Sequence, residues 1–365
     1  MLNNKLYFCT RLMFGALAMG NLVASAPAYA QTAQVQLPNV VILATGGTIA
    51  GSGADSTTTI GYTSATIGVE RLIAAVPELK KVANVKGEQV FQIASESMTN
   101  DHWLKLAKRV NTLLAQPNVD GIVITHGTDT IEETAYFLDL TVKSTKPVVV
   151  VGAMRPSTAI SADGPVNLYN AVLLAGSKEA VGKGVLVTLN DQINAAREVT
   201  KTNTSTTDTF KSPELGMLGY MQGNKAYFYR QSTRKHTADT EFDISALDTL
   251  PQVDIVYGYA NMNRLALDAF IAGGAKGIIQ AGVGDGSVAA QMKTPLLEAR
   301  KKGVQIVRSS RVGQGIVARN GEANDDEMDT VVSDTLNPQK ARILLMLALT
   351  KTNNAKDIQR MFYSY

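Results

Sequence analysis

The sequence predicts an α/β protein with two domains, the larger of which is an N-terminal, doubly wound and mainly parallel sheet. The 365 residues exceed the usual length of one domain, which is about 150 residues. Runs of Val and Ile without polar alternation are typical of parallel strands that are covered on both faces. Longer amphipathic stretches alternate with these runs, as expected for a doubly wound α/β domain.

The N-terminal domain is predicted to cover residues 37–230. Its buried-strand patterns are VVILAT (40–45), VDGIVITHG (119–127), KPVVVVGA (146–153) and KGVLVTLN (183–190). Its clearest helical patterns are NDHWLKLAKRVNTLLAQ (100–116) and TIEETAYFLDLTV (130–142). A Gly-, Ser- and Thr-rich segment, residues 50–68, follows the first strand without clear periodicity. This segment is either a plain insertion or a lid, and its position after the first strand favours a lid.

A change of composition marks the start of the second domain. Residues 231–251, QSTRKHTADTEFDISALDTLP, are polar with few apolar side chains and are predicted to form a linker. The strand–helix alternation then resumes and predicts a smaller, Rossmann-like C-terminal α/β domain over residues 252–365. Its strand patterns are VDIVYGY, AKGIIQAGV and VQIVRSS, and further helices are expected at 338–350 and near Ile358.

The first 30 residues have the features of an export signal. Lys5 and Arg11 give a positive start, an apolar stretch follows, and Ala28-Tyr29-Ala30 has the small-x-small pattern of a cleavage site. A buried N-terminal helix is the alternative, but the apolar run is short and its flanks are those of an export signal. We therefore expect a signal peptide over residues 1–30, cleavage after Ala30, and a mature protein in the periplasm.

Charge and cysteine content exclude several classes of function. The formal net charge of +3 includes two cations of the signal, so the mature chain carries 3 − 2 = +1. That charge gives no electrostatic basis for binding nucleic acid or a membrane surface. The one cysteine, Cys9, is lost with the signal. The mature chain is therefore expected to have no disulfide, no thiolate nucleophile and no Cys-ligated metal.

Common hydrolase and cofactor motifs are absent from the sequence. There is no G-x-S-x-G elbow, no H-E-x-x-H zinc motif and no G-x-x-x-x-G-K-[ST] phosphate loop, and the three histidines are scattered. GVGDGS at 282–287 resembles a dinucleotide-binding loop, but Ser287 occupies the third glycine position and the next strand offers Arg308 instead of an acid. We expect neither a cofactor nor a metal.

Polar residues follow the predicted strands, at the edge of the sheet where ligands bind in open α/β folds. The first strand leads to Thr48, the second to Thr128 and Asp129, and the fourth to Lys201. A threonine hydroxyl needs a base to act as a nucleophile, and a desolvated lysine can be that base. Structural alternatives exist for each residue. Thr48 could lie in a tight turn and Lys201 could be a solvated charge, while Thr128 and Asp129 could cap a helix.

Four segments together carry a specific resemblance that decides between these alternatives. They are ATGGTIAG (44–51), ITHGTDTIEETAYFLDL (124–140), VVVGAMRPSTAISADGPVNLYNA (149–171) and TLNPQKAR (335–342). The chain resembles the bacterial type II L-asparaginases, and within them the periplasmic glutaminase-asparaginases, over the whole mature sequence. The resemblance implies hydrolysis of the side-chain amides of L-glutamine and L-asparagine to the acids and ammonia through a threonine acyl-enzyme.

The resemblance also assigns the catalytic residues. It implies that Thr48 is the nucleophile and that Tyr62, from the predicted lid, orients it. Thr128, Asp129 and Lys201 would form a second hydroxyl–base group that activates Thr48 or the attacking water. The sequence leaves open which of the two threonines attacks.

The same resemblance assigns the groups that hold the substrate's α-end. Ser95 would hold the α-carboxylate, and Glu96 and Asp129 would face the α-ammonium. A neighbouring subunit would complete the site with Ser287 and Glu322, in a homotetramer made of two close dimers. Many asparaginases have Gln in place of Glu96 and Asn in place of Ser287, and both departures resemble enzymes that also accept glutamine.

Two other functions stay open at this stage. One is an L-asparaginase with little glutaminase activity. The other, from a different class, is a periplasmic amino-acid binding protein, which would also be exported, would have two α/β domains and would need no cofactor. A binding protein would not need the hydroxyl of Thr48 or the amine of Lys201, so these residues favour the enzyme.

Overall fold

The computed structural model describes residues 36–365, and its N-terminal part contains ten strands. They are β1 (Asn39–Gly46), β2 (Asn84–Ile93), β3 (Gly121–Thr125), β4 (Val148–Val151), β5 (Val185–Leu189), β6 (Gln192–Ala195), β7 (Thr200–Lys201), β8 (Phe210–Lys211), β9 (Gly219–Gln222) and β10 (Lys225–Phe228). Eight of them form one sheet in the order β10-β9-β6-β5-β4-β3-β1-β2, and β7 pairs with β8 in a separate hairpin. Strands β2, β1, β3, β4 and β5 are parallel.

The predicted fold class is confirmed, although several strands were not predicted from the sequence. The four buried-strand patterns correspond to β1, β3, β4 and β5. Strand β2 lies at the edge of the sheet and exposes much of its length, so it has no continuous apolar run. Strands β6, β9 and β10 add antiparallel pairs at the other edge, and their four-residue length is too short for a periodic signal.

The described residues contain nine α-helices. They are α1 (Val69–Ala74), α2 (Asn100–Leu114), α3 (Ile131–Thr141), α4 (Gly164–Ala175), α5 (Leu265–Ala272), α6 (Ala290–Lys301), α7 (Asp325–Met328), α8 (Pro338–Ala348) and α9 (Ala355–Ser364). Helix α2 begins after a capping box, in which the Thr99 hydroxyl and the His102 side chain each accept from the other residue's backbone N–H. Helix α8 begins with Pro338 after Asn337, whose side chain accepts from a backbone N–H in the first turn.

Helices cover both faces of the large sheet. On one face α2 and α3 pack together, with the rings of Trp103 and Phe137 stacked at 5.7 Å between centroids. On the other face α1 and α4 cover a second cluster of buried Val, Ile, Leu and Ala side chains. This double cover explains why the central strands are apolar along their whole length.

The C-terminal domain contains a second, fully parallel sheet. Its strands are β11 (Val253–Tyr257), β12 (Gly277–Gly282), β13 (Gln305–Ser310) and β14 (Val331–Val332), in that order. Helices α5 and α6 cover one face, and α8 and α9 cover the other. Helix α8 also packs against α3, so one continuous core joins the two sheets.

The segment predicted as a linker, residues 231–251, is packed against the N-terminal domain. Phe242 and Ile244 are buried within the core that α3 and α8 share. The Thr240 hydroxyl donates to the carbonyl of Leu140, and Lys143 donates to the carbonyl of Thr240. The few apolar residues of this segment therefore anchor it, and the domain boundaries at 230 and 252 stay a prediction.

Two further sequence-based expectations concern export and membranes. The predicted signal peptide, residues 1–30, lies outside the described residues. Within residues 36–365, no helix combines the length and the apolar character that a membrane crossing requires.

Candidate active site

Close backbone packing at the carboxyl ends of β1 and β3 shapes the site. Gly46 and Gly47 have φ values of 112° and 80°, in the region that L side chains rarely adopt. A Cβ on Gly47 would lie 2.3 Å from the Cα of Gly127, and a Cβ on Gly127 would lie 2.5 Å from the Ser95 hydroxyl oxygen. The glycine pair before Thr48 is therefore required for three loops to meet at one point.

Thr48 presents its hydroxyl at this point, under the segment predicted as a lid. Its Oγ1 lies 2.8 Å from the phenolic oxygen of Tyr62, and the residue is only 7% exposed. Backbone hydrogen bonds between Ser52 and Thr63 in both directions hold the two arms of the segment together. Tyr62 thus contacts Thr48 from a loop that is held together by its own backbone hydrogen bonds.

Thr128, Asp129 and Lys201 form a second hydrogen-bonded group. The Lys201 amine donates to Thr128 Oγ1 at 3.1 Å and to Asp129 Oδ1 at 2.6 Å. Thr128 is buried, whereas 58% of the Asp129 side chain is exposed. Lys201 lies on the short β7–β8 hairpin, which brings it across to the residues that follow β3. The Lys201 amine is therefore within hydrogen-bond distance of the Thr128 hydroxyl, the distance at which a base activates a hydroxyl nucleophile.

Ser95 connects the two neighbouring loops. Its hydroxyl accepts from the backbone N–H of Asp129 at 3.2 Å, and its carbonyl accepts from the Thr130 hydroxyl at 2.8 Å. Ser95 is buried, and the next residue, Glu96, is exposed. The short 3₁₀ turn at Ser95–Ser97 therefore places a hydroxyl and a carboxylate on the same side of the site.

Seven of the nine site residues expected from the sequence line one cavity of about 350 Å³. They are Thr48, Tyr62, Ser95, Glu96, Thr128, Asp129 and Lys201. The cavity is also lined by residues that were not expected from the sequence, including Met154, Thr204 and Ser205. Met154 follows β4, and Thr204 and Ser205 belong to the polar run after Lys201, so their places in the chain were the available signals.

Ser287 and Glu322 do not line this cavity. Ser287 follows β12, with its backbone N–H bonded to the Val283 carbonyl at 2.9 Å. Glu322 is exposed on the loop before α7. Within one chain, the structure therefore brings together the residues expected to do the chemistry and leaves these two outside.

His126 is a site-supporting residue that sequence reasoning missed. Its Nδ1 lies 2.8 Å from the Gly127 carbonyl, and its Nε2 lies 2.9 Å from the Thr134 hydroxyl, which also accepts from the Trp103 indole at 2.9 Å. A carbonyl can only accept, so Nδ1 donates and the Thr134 hydroxyl donates to Nε2. Burial lowers the pKa of His126 to about 4. The neutral ring therefore fixes the carbonyl directly before Thr128.

A larger cavity, of about 650 Å³, lies elsewhere in the fold. It is found near the amino ends of β1 and β2, and Lys80, Lys86 and Arg109 are among its lining residues. None of the nine expected site residues lines it. Ligands of open α/β sheets bind at the carboxyl ends of the strands, so the smaller cavity is the candidate active site.

The fold is an α/β fold, and this cavity holds two buried hydroxyls, one beside the Tyr62 phenol and one beside the Lys201 amine. Residues 39–234 match the family model described as "Asparaginase, N-terminal", and residues 252–362 match the "Glutaminase/Asparaginase C-terminal domain". The two matches cover most of the described chain. The protein belongs to the asparaginase family, and the resemblance seen in the sequence is confirmed.

Individual relatives agree with this assignment. The chain is 59% identical over 329 residues to "L-asparaginase 2" of Bacillus subtilis (strain 168), covering 90% of this chain and 87% of that protein. It is 55% identical over 356 residues to "Glutaminase-asparaginase" of Pseudomonas fluorescens biotype A, covering 96% and 97%. A crystal structure of a "Probable Cytoplasmic L-asparaginase" from Campylobacter jejuni matches with a TM-score of 0.87 and 50% identity, over 90% of this chain and 100% of that chain.

Proposed function

We propose that this protein hydrolyses the side-chain amides of L-glutamine and L-asparagine to L-glutamate and L-aspartate, releasing ammonia. The observation that carries the proposal is one cavity that contains two buried hydroxyls, one at 2.8 Å from Tyr62 and one at 3.1 Å from the Lys201 amine. The similar proteins named glutaminase-asparaginase and L-asparaginase 2 support the same reaction.

The reaction follows from these groups in two steps. In the first, the Thr48 oxygen attacks the amide carbon, its proton reaches the amide nitrogen, and the C–N bond breaks to release ammonia and leave an ester on Thr48. In the second, water attacks that ester, and its proton returns to the Thr48 oxygen as the acid leaves. Thr128 with Lys201 and Asp129 activates Thr48 or the water. We assign the attack to Thr48 because its hydroxyl faces Tyr62 under the lid segment.

The substrate's α-groups are held by the polar side of the same cavity. Asp129 uses one carboxylate oxygen for Lys201, and much of its side chain stays exposed, so its other oxygen is free for the α-ammonium. Glu96 supplies a second carboxylate there, and Ser95 supplies a hydroxyl for the α-carboxylate. Charge-assisted hydrogen bonds are roughly twice as strong as neutral ones, so this end of the substrate is fixed more firmly than the amide end.

The complete site is proposed to need a second subunit. Ser287 and Glu322 would enter from a neighbouring chain of a homotetramer built from two close dimers. In such an assembly we expect a neighbouring chain to cover Ile60 of the lid segment and Ile316 of the C-terminal domain, which are 81% and 66% exposed in one chain.

The mature protein is proposed to be periplasmic. The support is the export signal predicted for residues 1–30. The similar Campylobacter protein is named a probable cytoplasmic enzyme, so cell fractionation is the deciding test. We expect activity in the periplasmic fraction and a mature N-terminus at Gln31, and activity that stays with the cytoplasmic fraction would contradict the proposal.

Ammonia release from each amino acid, measured side by side on purified protein, tests the proposed function. The two substrates differ by one methylene, which a pocket usually discriminates by only about 1–3 kcal/mol. We therefore expect catalytic efficiencies on asparagine and glutamine within about two orders of magnitude of each other. Negligible release from glutamine would restrict the enzyme to asparagine. Amino-acid binding without release from either substrate would indicate a binding protein.

A further inference from the structure

The TLNPQKAR segment, residues 335–342, has no part in the steps proposed above, yet it contacts the start of α3. The Gln339 amide donates to Glu132 Oε1 at 2.9 Å, and the Asn337 amide donates to Glu132 Oε2 at 3.3 Å. Glu132 is the second residue of α3 and follows Asp129 by three positions. The C-terminal domain therefore holds the helix that begins directly after the Thr128–Asp129 pair.

Lys340, in the same segment, also holds the chain that leads to Lys201. Its amine donates to the carbonyl of Arg197 at 2.8 Å and to the carbonyl of Val199. The same nitrogen lies 4.0 Å from Glu132 Oε2. One buried amine thus contacts both segments that carry the hydrogen-bonded group of the active site.

The chemistry of the Lys340 contacts indicates a role in positioning the active-site residues. A buried cation is unfavourable unless it is paired and hydrogen-bonded, and Lys340, at 2% exposure, has a carboxylate and two carbonyls as partners. Burial lowers the pKa of Lys340 to about 8, while Glu132 acts in the opposite direction. A well-packed apolar side chain often stabilises a fold as well as a buried ion pair does. Fold stability alone therefore does not require a lysine here.

We propose that Lys340 is a positioning residue that sets the distance between Lys201 and the Thr128–Asp129 pair from the C-terminal domain. The inference rests on the proposed amide hydrolysis. The distances at stake are the 3.1 Å and 2.6 Å contacts of the Lys201 amine. A misplacement of about 1 Å at a reacting group can cost about 10²-fold in rate, so loss of the Lys340 contacts acts on the chemical step more than on substrate binding.

The test compares Lys340→Met with Lys146→Met. Lys146 is a matched control because its amine also donates to two backbone carbonyls, those of Leu114 at 3.0 Å and Gln116 at 2.7 Å. It lies just before β4, near the amino ends of the parallel strands, whereas the site lies at their carboxyl ends. For Lys340→Met we expect kcat on asparagine to fall about 10- to 100-fold, with KM changed by less than about threefold. For Lys146→Met we expect a lower unfolding temperature and an unchanged kcat.

The outcomes separate this inference from the proposed function. Wild-type protein that releases no ammonia would overturn the proposed function itself. Active wild-type protein with an unchanged kcat in Lys340→Met, or equal losses of kcat in both lysine variants, would overturn the positioning role alone. If Lys340→Met does not fold, Lys340→Gln makes the same prediction, because its shorter amide cannot reach both carbonyls. An unchanged kcat in Lys340→Gln would then overturn the positioning role.

Discussion

The two parts of the chain that carry expected site residues differ in how firmly a single chain places them. In the N-terminal domain, Thr48, Ser95 and Thr128 are each 7% exposed or less, and hydrogen bonds and glycine contacts fix their loops. In the C-terminal domain, Ser287 is half-buried and Glu322 is exposed, and neither reaches the cavity. One chain therefore preforms the part of the site that contains Thr48, Ser95 and Thr128, whereas Ser287 and Glu322 would join it only from the neighbouring chain that we propose.

The C-terminal loops that carry Ser287 and Glu322 nevertheless have a rigid support. Arg308 and Asp325 form a fully buried ion pair, with Arg308 Nε at 2.7 Å from Asp325 Oδ1. The other N–H groups of Arg308 donate to backbone carbonyls next to Ser287 and in the loop before Glu322. Breaking a buried pair of this kind typically costs about 3–5 kcal/mol. The loops that carry Ser287 and Glu322 are therefore held in one shape within the single chain.

Removing the proposed nucleophile, Thr48, is expected to have the largest effect. Thr48→Ala removes one hydroxyl from the preformed half, so we expect kcat on asparagine to fall by about 10³-fold or more, with the unfolding temperature nearly unchanged. Thr57→Ala is the matched control, because Thr57 is exposed in the same lid segment and its hydroxyl bonds to Asp55 instead of a site residue. Steady-state ammonia release from the two variants checks the prediction, and substantial turnover by Thr48→Ala would remove Thr48 from its assigned role.

Removing the proposed base, Lys201, is expected to have the second largest effect on the rate. Lys201→Met leaves Thr128 without its amine partner, and the loss of a positioned base typically costs about 10²–10⁴-fold. The control is Lys211→Met on the paired strand, where Lys211 bonds to Asp208 instead of a site residue. Rates measured for both variants at saturating asparagine give the comparison. Comparable rates for the two variants would contradict the assignment of the Lys201 amine as the base.

A smaller effect on turnover is expected at Glu96, which we propose to hold the substrate's α-end. Glu96→Gln exchanges a charge-assisted hydrogen bond for a neutral one, a loss of about 1 kcal/mol, which corresponds to about fivefold in rate. We expect glutamine turnover to lose more than asparagine turnover, because the longer substrate needs its α-end held while its amide end adjusts. Kinetics on both amides, with the exposed Glu78→Gln as control, measure the difference. Equal losses of turnover on both amides would contradict this explanation of specificity.

Replacing His126, whose ring bonds to the carbonyl directly before Thr128, is expected to have the smallest effect on activity. Its effect on stability is expected to be measurable. The pKa of His126 is about 4 in the folded protein, against an ordinary value of 6.5. The unfolded chain therefore binds more protons between these values, and folding stability is lost as the pH falls from 6.5 towards 4. The loss due to His126 amounts to about 3 kcal/mol.

Urea unfolding of wild type and His126→Gln at neutral and acid pH measures this loss. We expect the pH dependence to be smaller in His126→Gln than in wild type. His102→Gln serves as the control, because Gln at that position preserves the capping box of α2. An identical pH dependence in wild type and His126→Gln would show that other groups determine acid stability.

The sequence predicted much of the fold because the central strands are buried on both faces. Such strands leave continuous apolar runs, which β2 lacks as an edge strand and β6 is too short to show. In the segment 231–251, three buried apolar side chains, those of Phe242, Ile244 and Leu250, lie among polar ones and give no periodic signal. Short or half-exposed elements depend on tertiary contacts that no local pattern records.

The candidate site was predictable to the extent that its residues lie at strand ends. Thr48 and Thr128 follow β1 and β3 directly, so a parallel sheet must bring them to one edge. Lys201 reaches them only through the β7–β8 hairpin, which has no sequence signature, and its assignment came from the family resemblance. His126 bonds to the carbonyl of the next residue and to the Thr134 hydroxyl, and Lys340 bonds to two backbone carbonyls far away in the chain. Residue types and spacings do not reveal such contacts.

The central claim, that the two halves of the site come from different chains, is tested most directly by mixing two inactive or weakened variants. Thr48→Ala and Glu322→Ala, combined under conditions that allow subunit exchange, would form mixed dimers with one intact site each. In a two-fold dimer, random exchange restores about one quarter of all sites.

At low asparagine concentration the loss of Glu322 lowers the rate most. Ammonia release by the mixture should therefore rise well above that of either variant alone. Thr48→Ala mixed with Lys201→Met should recover nothing, because those two residues belong to the same chain's half. Verified exchange without any recovery of activity in the first mixture would contradict the account and would indicate a site that is complete within one chain.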